Sequence, residues 1–136
     1  MSRIAATLIA ALIASPALAE GDAAKGENGF KKCRSCHEIV SDSGEVIVKG
    51  GKTGPNLYGV AGRQAGSVEG YKYDADLVAA GEAGLVWDEA NFAAWTADPT
   101  SFLKDHGYPK AKSKMTFKLK SGAEDIYAYL ASVAAK

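Results

Sequence analysis

Residues 33–37 read Cys33-Arg34-Ser35-Cys36-His37, and they hold both cysteines of the chain. Two thiols two residues apart, with a histidine directly behind the second, form the attachment pattern of a c-type haem. Thiols at that spacing can add to the two vinyl groups on one edge of the macrocycle. The next residue then lies under the ring, where an imidazole can bind iron, the commonest way of holding haem iron. Three other readings compete. A zinc site needs two more ligands, and His106 is the only other histidine. A redox dithiol needs a βαβ surrounding, which nothing in the sequence suggests. A disulfide across two residues would close almost no loop. Cys33 and Cys36 are therefore expected to attach one haem c, with His37 as an iron ligand.

Residues 1–19 read as a secretory signal peptide. Arg3 supplies a positive start, Ile4 to Ala14 an apolar run, and Ala17-Leu18-Ala19 a small-residue cleavage site. The run is too short to span a bilayer, which takes about 20 apolar residues. Residues 20–136 are then one monohaem domain in the periplasm, without stable membrane insertion. Charge is balanced overall, with 16 basic and 16 acidic side chains, but unevenly spread. Tyr108 to Lys120 holds Lys110, Lys112, Lys114, Lys118 and Lys120 and no acid, whereas Glu69 to Asp105 is rich in acids. Such asymmetry steers encounters with an oppositely charged partner. Near-zero net charge without a basic motif excludes nucleic acid as a partner.

The rest of the chain reads as short helices joined by loops. Asp22 caps a helix over about 23–33 that runs into the haem motif. Gly26 and Phe30 share one of its faces. Glu45 to Val48 reads as a short strand or hairpin arm. Lys49 to Gly59 is a glycine-punctuated loop around Pro55. Two readings of Pro55 stay open: a rigid turn, or a residue packed by His37 whose carbonyl accepts the imidazole N–H. Asp74 caps a helix over 75–80 ended by Gly81, Asp88 caps the next, and Asp98-Pro99 opens another that His106-Gly107 ends. Trp87, Phe92 and Trp95 read as core. At a helix end His106 suits the dipole, which is preferred to a role on iron. Ser121-Gly122-Ala123-Glu124 reads as a capping box. It opens a helix over 122–134 whose Ile126, Tyr129, Leu130 and Val133 form one apolar stripe. That stripe is expected to pack on Gly26 and Phe30.

Met115 is the one methionine outside the leader. A lone methionine is normally a gap-filler, but this one stands in a lysine-rich loop. There it reads as the second iron ligand, a thioether that raises the reduction potential.

These residues together resemble the class I cytochromes c, close to the cytochrome c2 type of purple bacteria. The resemblance rests on Cys33 to His37, Lys52 to Leu57, Gly62-Arg63, Tyr73, Trp87, Asp98-Pro99, Lys114 to Phe117 and Glu124 to Leu130. It implies an all-α class I cytochrome c fold of about five short helices around one covalently bound haem, with the N- and C-terminal helices in contact. It also implies His37/Met115 ligation, Pro55 orienting His37, and Arg63, Tyr73 and Trp87 around the haem propionates. Trp95 departs from the tyrosine of many relatives near the methionine sulfur. The loops 40–51 and 104–113 look longer than in mitochondrial relatives. The implied function is that of a monomeric one-electron carrier, not an enzyme. It would run from the quinol:cytochrome c oxidoreductase to a photosynthetic reaction centre, an oxidase or a reductase. Docking would use lysines such as Lys32, Lys52, Lys112, Lys114 and Lys118. The alternative is a haem enzyme or gas sensor with a labile sixth ligand.

Overall fold

A computed structural model describes residues 21–135; the leader expected over 1–19 lies outside them. Helix α1 spans Ala23–Gly29, and Asp22 Oδ1 accepts the N–H groups of Ala24 and Lys25 at 2.9 and 3.1 Å. The expected helix to residue 33 is continued by a tighter 3-10 turn, Phe30–Lys32. Such turns are frequent at helix ends, where orphan carbonyls take shorter-range donors. Here the N–H of Cys33 donates to Phe30 O at 2.8 Å and that of His37 to Cys33 O at 2.9 Å. The haem-type motif is thus a run of consecutive turns.

Strands β1 (Ile39–Val40) and β2 (Val46–Val48) follow as an antiparallel hairpin, Ile39 opposite Val48 and Val40 opposite Val46. Helices α2 (Ala75–Glu82), α3 (Glu89–Ala97) and α4 (Pro99–Asp105) are each capped by an aspartate. Asp74, Asp88 and Asp98 accept from Leu77, Asn91 and Ser101 at 2.9, 2.7 and 3.0 Å. Asp98 also meets Lys118 Nζ at 2.9 Å. The Ser101 N–H and then Lys118 hold its carboxyl down at about 2. His106 ends α4, with Nδ1 2.7 Å from Phe102 O and its ring 4.0 Å from the Phe102 ring.

Two expectations are corrected. Gly81 does not end α2 but lies inside it, where a Cβ would overlap the Ala65 carbonyl oxygen; the glycine admits a neighbouring loop. Ser121 does not cap the last helix, α5 (Ala123–Ala134). Gly122 takes the cap position at φ +85° and no side-chain cap bond forms. The first-turn carboxylate of α5 turns instead to the other end of the chain, Asp125 Oδ1 accepting Asp22 N–H at 2.7 Å.

The contact between α1 and α5 is the most extensive between any two helices described. It closes on Gly26, where a Cβ would overlap the Asp125 carbonyl and lie 2.8 Å from Tyr129 Cβ. Phe30 and Tyr129 stack obliquely beside it, ring centroids 6.0 Å apart. Phe30, Ile126 and Leu130 are fully buried there, and Ile39 and Leu103 extend the same core. No helix among the described residues is long and apolar enough to cross a membrane.

Alanine is favoured over glycine inside a helix by up to about 1 kcal/mol, yet at position 26 it meets a backbone carbonyl that cannot rotate away. We expect Gly26→Ala to destabilise the holoprotein by about 1–3 kcal/mol in denaturant melts. Gly29→Ala should be close to neutral, because its Cβ would face the flexible Ile126 side chain at 3.2 Å.

Candidate functional site

One largely apolar cleft enters the core, lined by residues drawn from Lys32 to Ile126. Counted out to its open mouth, the cleft takes in ≈ 1280 Å³, open solvent included. Cys33, Cys36, His37 and Met115 all line it. His106 does not; it is exposed and packs on Phe102.

The turns after Phe30 set the two thiols differently. Cys36 is exposed and Cys33 half-buried, and both are unpaired. Burial pushes the Cys33 thiol up to about 11, against the pull of Lys32 and with a small push from Cys36.

His37 is buried. Its Nδ1 lies 2.8 Å from Pro55 O. A carbonyl only accepts, so Nδ1 carries the proton and Nε2 keeps its lone pair. Burial lowers the imidazole's affinity for a second proton, and the Pro55 bond opposes this in part. Of the two open readings of Pro55, the geometry selects the carbonyl acceptor. Gly54 lies flat on the ring, where a Cβ would come within 2.7 Å of Nδ1 and 2.8 Å of Nε2. The supporting loop is stitched to the motif along its length. Gly51 N–H donates to Arg34 O at 2.8 Å, Gly54 N–H to Cys36 O at 2.7 Å and Leu57 N–H to Glu38 O at 3.1 Å. Asn56 brackets β1, accepting from Val40 N–H at 3.0 Å and donating to Val40 O at 2.8 Å.

Deeper in the cleft, Trp87 and Trp95 tilt together at 5.4 Å, and Trp95 meets Phe102 edge-on at 5.8 Å. The core reading of both tryptophans holds, and the same faces line the cleft. Arg63 is half-buried at the wall and donates to Tyr58 O at 2.8 Å and Asn56 O at 3.4 Å. Among the described residues no carboxylate pairs with it. Burial pulls its pKa down, opposed by Tyr73 and Asp42, yet a guanidinium stays charged. It is a cation in want of an anion. Tyr73 accepts Val68 N–H at 3.1 Å, and Tyr71 donates to Thr53 O at 2.7 Å.

No family model matches the chain. Single relatives match it closely. It is 60% identical to cytochrome c-551 of Roseobacter denitrificans, over 98% of this chain and 96% of that one. It is 52% identical to cytochrome c2 of Rhodobacter capsulatus, over 98% and 97%. The solved structure of cytochrome c2 from Rhodobacter capsulatus superposes with a TM-score of 0.80 at 54% identity. It covers 83% of this chain and 98% of that one.

The chain belongs to the class I cytochromes c, of the cytochrome c2 type. It carries one covalently bound haem c and is an electron carrier rather than an enzyme. The expected helical fold around one cleft, with its terminal helices in contact, is the one observed; the hairpin supplies the extended segment expected at residues 45–48 together with its partner β1.

The residues present fit the group. The cleft of this cytochrome is apolar, as a porphyrin face requires. Its donors are one imidazole with a free Nε2 and one thioether, a set suited to haem iron. Among the described residues no three His, Cys, Asp or Glu side chains gather as a separate metal cluster. Three contributors had no sequence reading of their own. Gly54 cushions the imidazole, Asn56 fixes the loop behind it, and Tyr71 ties residue 53 to the opposite wall. The Gly54-Pro55-Asn56 string was the available signal for the first two; Tyr71 had none.

Gly54→Ala must push the His37 ring off Pro55. We expect it to lower the thermal midpoint of the holoprotein, with a loss of about 1–3 kcal/mol. A melt indistinguishable from wild type would mean that the ring does not lean on residue 54.

Proposed function

We propose that Cys33 and Cys36 hold the haem through thioethers, that His37 and Met115 are its axial ligands, and that the protein shuttles single electrons between membrane redox complexes in the periplasm. Bound haem supplies a ferrous/ferric couple. The observation carrying this reading is that two thiols, a deprotonated imidazole nitrogen and a thioether all open into one apolar cleft.

The roles of the chain's own residues follow. The Pro55 carbonyl fixes the tautomer of His37 and makes its Nε2 a better donor. Trp87, Trp95 and Phe92 exclude water from the deep wall, so charge on the iron would be felt in a low dielectric. Arg63 answers the negative propionates, with Tyr73 and Trp87 beside it. Met115 would supply the second iron ligand, so that no position is left open to a substrate.

Partner choice rests on charge. Lys32 and Lys114 stand exposed at the mouth, and Lys52, Lys112 and Lys118 are exposed as well. They suit docking on acidic faces of a quinol:cytochrome c oxidoreductase and of a reaction centre, oxidase or reductase. Two of them have local ties: Lys114 Nζ donates to Lys72 O at 2.8 Å and Lys118 pairs with Asp98. The exposed lysines support transient docking, and the protein is proposed to act as a monomer. Residues 1–19 are proposed as a cleaved leader before a domain over 20–136. The near-complete match of a solved chain to 83% of this one supports that division.

Met115→Ala should abolish the methionine–iron charge-transfer band. It should also lower the reduction potential by on the order of 0.1 V or more, within the ≈ 0.8 V that axial ligands command. An unchanged spectrum would refute the ligand assignment. Transfer rates to an acidic partner should fall steadily between 0.01 and 1 M salt, as the screening length shrinks from ~30 to ~3 Å. The protein should be recovered from the periplasmic fraction with Glu20 first.

A further inference from the structure

Nothing regular holds Met115. From His106 to Gly122 the chain forms neither helix nor strand. A methionine side chain is unbranched and flexible, so where its sulfur rests depends on what grips the main chain on each side. Both grips come from one place, the α3–α4 junction at residues 96–100. On the near side, Thr100 Oγ1 accepts the N–H of Ser113 at 3.1 Å. Ser113 Oγ in turn accepts the N–H of Met115 at 3.1 Å. On the far side, Leu119 N–H donates to Thr96 O at 2.7 Å, and Lys118 pairs with Asp98. The junction is itself immobilised, since Pro99, Phe102 and Leu103 of α4 are buried. Thr96 anchors too, through its hydroxyl to Phe92 O at 2.9 Å.

We propose that Thr100 is a positioning residue for Met115, acting through Ser113 on the methionine's own N–H. This rests on the reading that the Met115 sulfur binds the iron. Thr100 is singled out by magnitude. The Lys118–Asp98 pair is exposed, with 63% of the lysine side chain accessible, and such pairs contribute little. The Leu119–Thr96 link is backbone only. The Thr100–Ser113–Met115 relay is partly buried and built from side chains. Losing Thr100 Oγ1 leaves a half-buried N–H without its acceptor, which costs more than the mean worth of a hydrogen bond. The relay opposes any displacement that carries the Met115 main chain away from Ser113.

The test is a titration of the ferric holoprotein with imidazole, which competes with the sulfur for the iron. Each variant's thermal melt is measured alongside. Thr100→Val should raise the apparent imidazole affinity roughly three- to tenfold, the effect of one hydrogen bond. Thr100→Ser keeps the hydroxyl and should restore the wild-type value. Ser113→Ala cuts the relay from the loop side, away from the buried face of α4, and should match Thr100→Val. Asp98→Asn preserves the cap and should change the affinity less than about twofold. Wild-type affinity in both Thr100→Val and Ser113→Ala would overturn the inference. So would Thr100→Ser behaving like Thr100→Val. Failure of the underlying reading looks different: Met115→Ala would keep the charge-transfer band. If that band is lost while the Thr100 and Ser113 variants bind imidazole as wild type does, the ligand assignment stands and only the positioning role falls.

Discussion

A single carbonyl oxygen, that of Pro55, holds the His37 imidazole in one tautomer, and the architecture of the cleft follows from keeping it there. The bond spans 18 residues, so a whole loop must be fixed before it can form. Hydrogen bonds from Gly51, Gly54 and Leu57 to the 34–38 backbone do this, and Asn56 locks the same loop to β1. A side chain at residue 54 would leave no room for the ring. Motif, loop and hairpin are therefore one rigid piece, which presents the free imidazole nitrogen to the cleft. Helices α3 and α4 and the methionine loop make a second piece, joined by side-chain and backbone hydrogen bonds. The α1–α5 contact belongs to neither and closes the molecule around both.

Much of this could be read from residue order alone, because it rests on local chemistry. Cys33, Cys36 and His37 announce themselves by spacing. Asp22, Asp74, Asp88 and Asp98 cap because their carboxylates reach N–H groups two or three residues on. The apolar stripe of α5 and the small residue at position 26 predicted the helix contact correctly. What could not be read depends on partners distant in sequence. Gly81 looks like a helix stop until the Ala65 carbonyl is seen against it. The capping box at Ser121 is sound as a pattern, but the first turn of α5 is drawn to Asp22 instead. Strand β1 has only two residues, too few for any alternation to register, and it exists because Asn56 and β2 satisfy it from either side. Thr100 carried no signal at all; its meaning appears only when residue 113 folds back on it.

The lysines illustrate how local and long-range electrostatics divide the same charges. Lys118 pairs with Asp98, which already caps α4, so one cation of the positive face is held by a partner within the fold while staying exposed. Lys114 reaches from the methionine loop to the Lys72 carbonyl, between two tyrosines in sequence, Tyr71 and Tyr73, whose rings meet edge-on. A docking partner would meet a surface whose cations are partly ordered beforehand. That lowers the conformational entropy lost on binding.

Both tryptophans of the chain lie in the wall of one cavity. A strongly absorbing chromophore seated against them would drain their excited states by energy transfer, so the folded holoprotein would be nearly dark in the ultraviolet. Any opening that carries the wall away from the chromophore would switch emission on. The arrangement that keeps water from the cofactor thus gives the molecule an internal optical gauge of its own integrity, with no label attached.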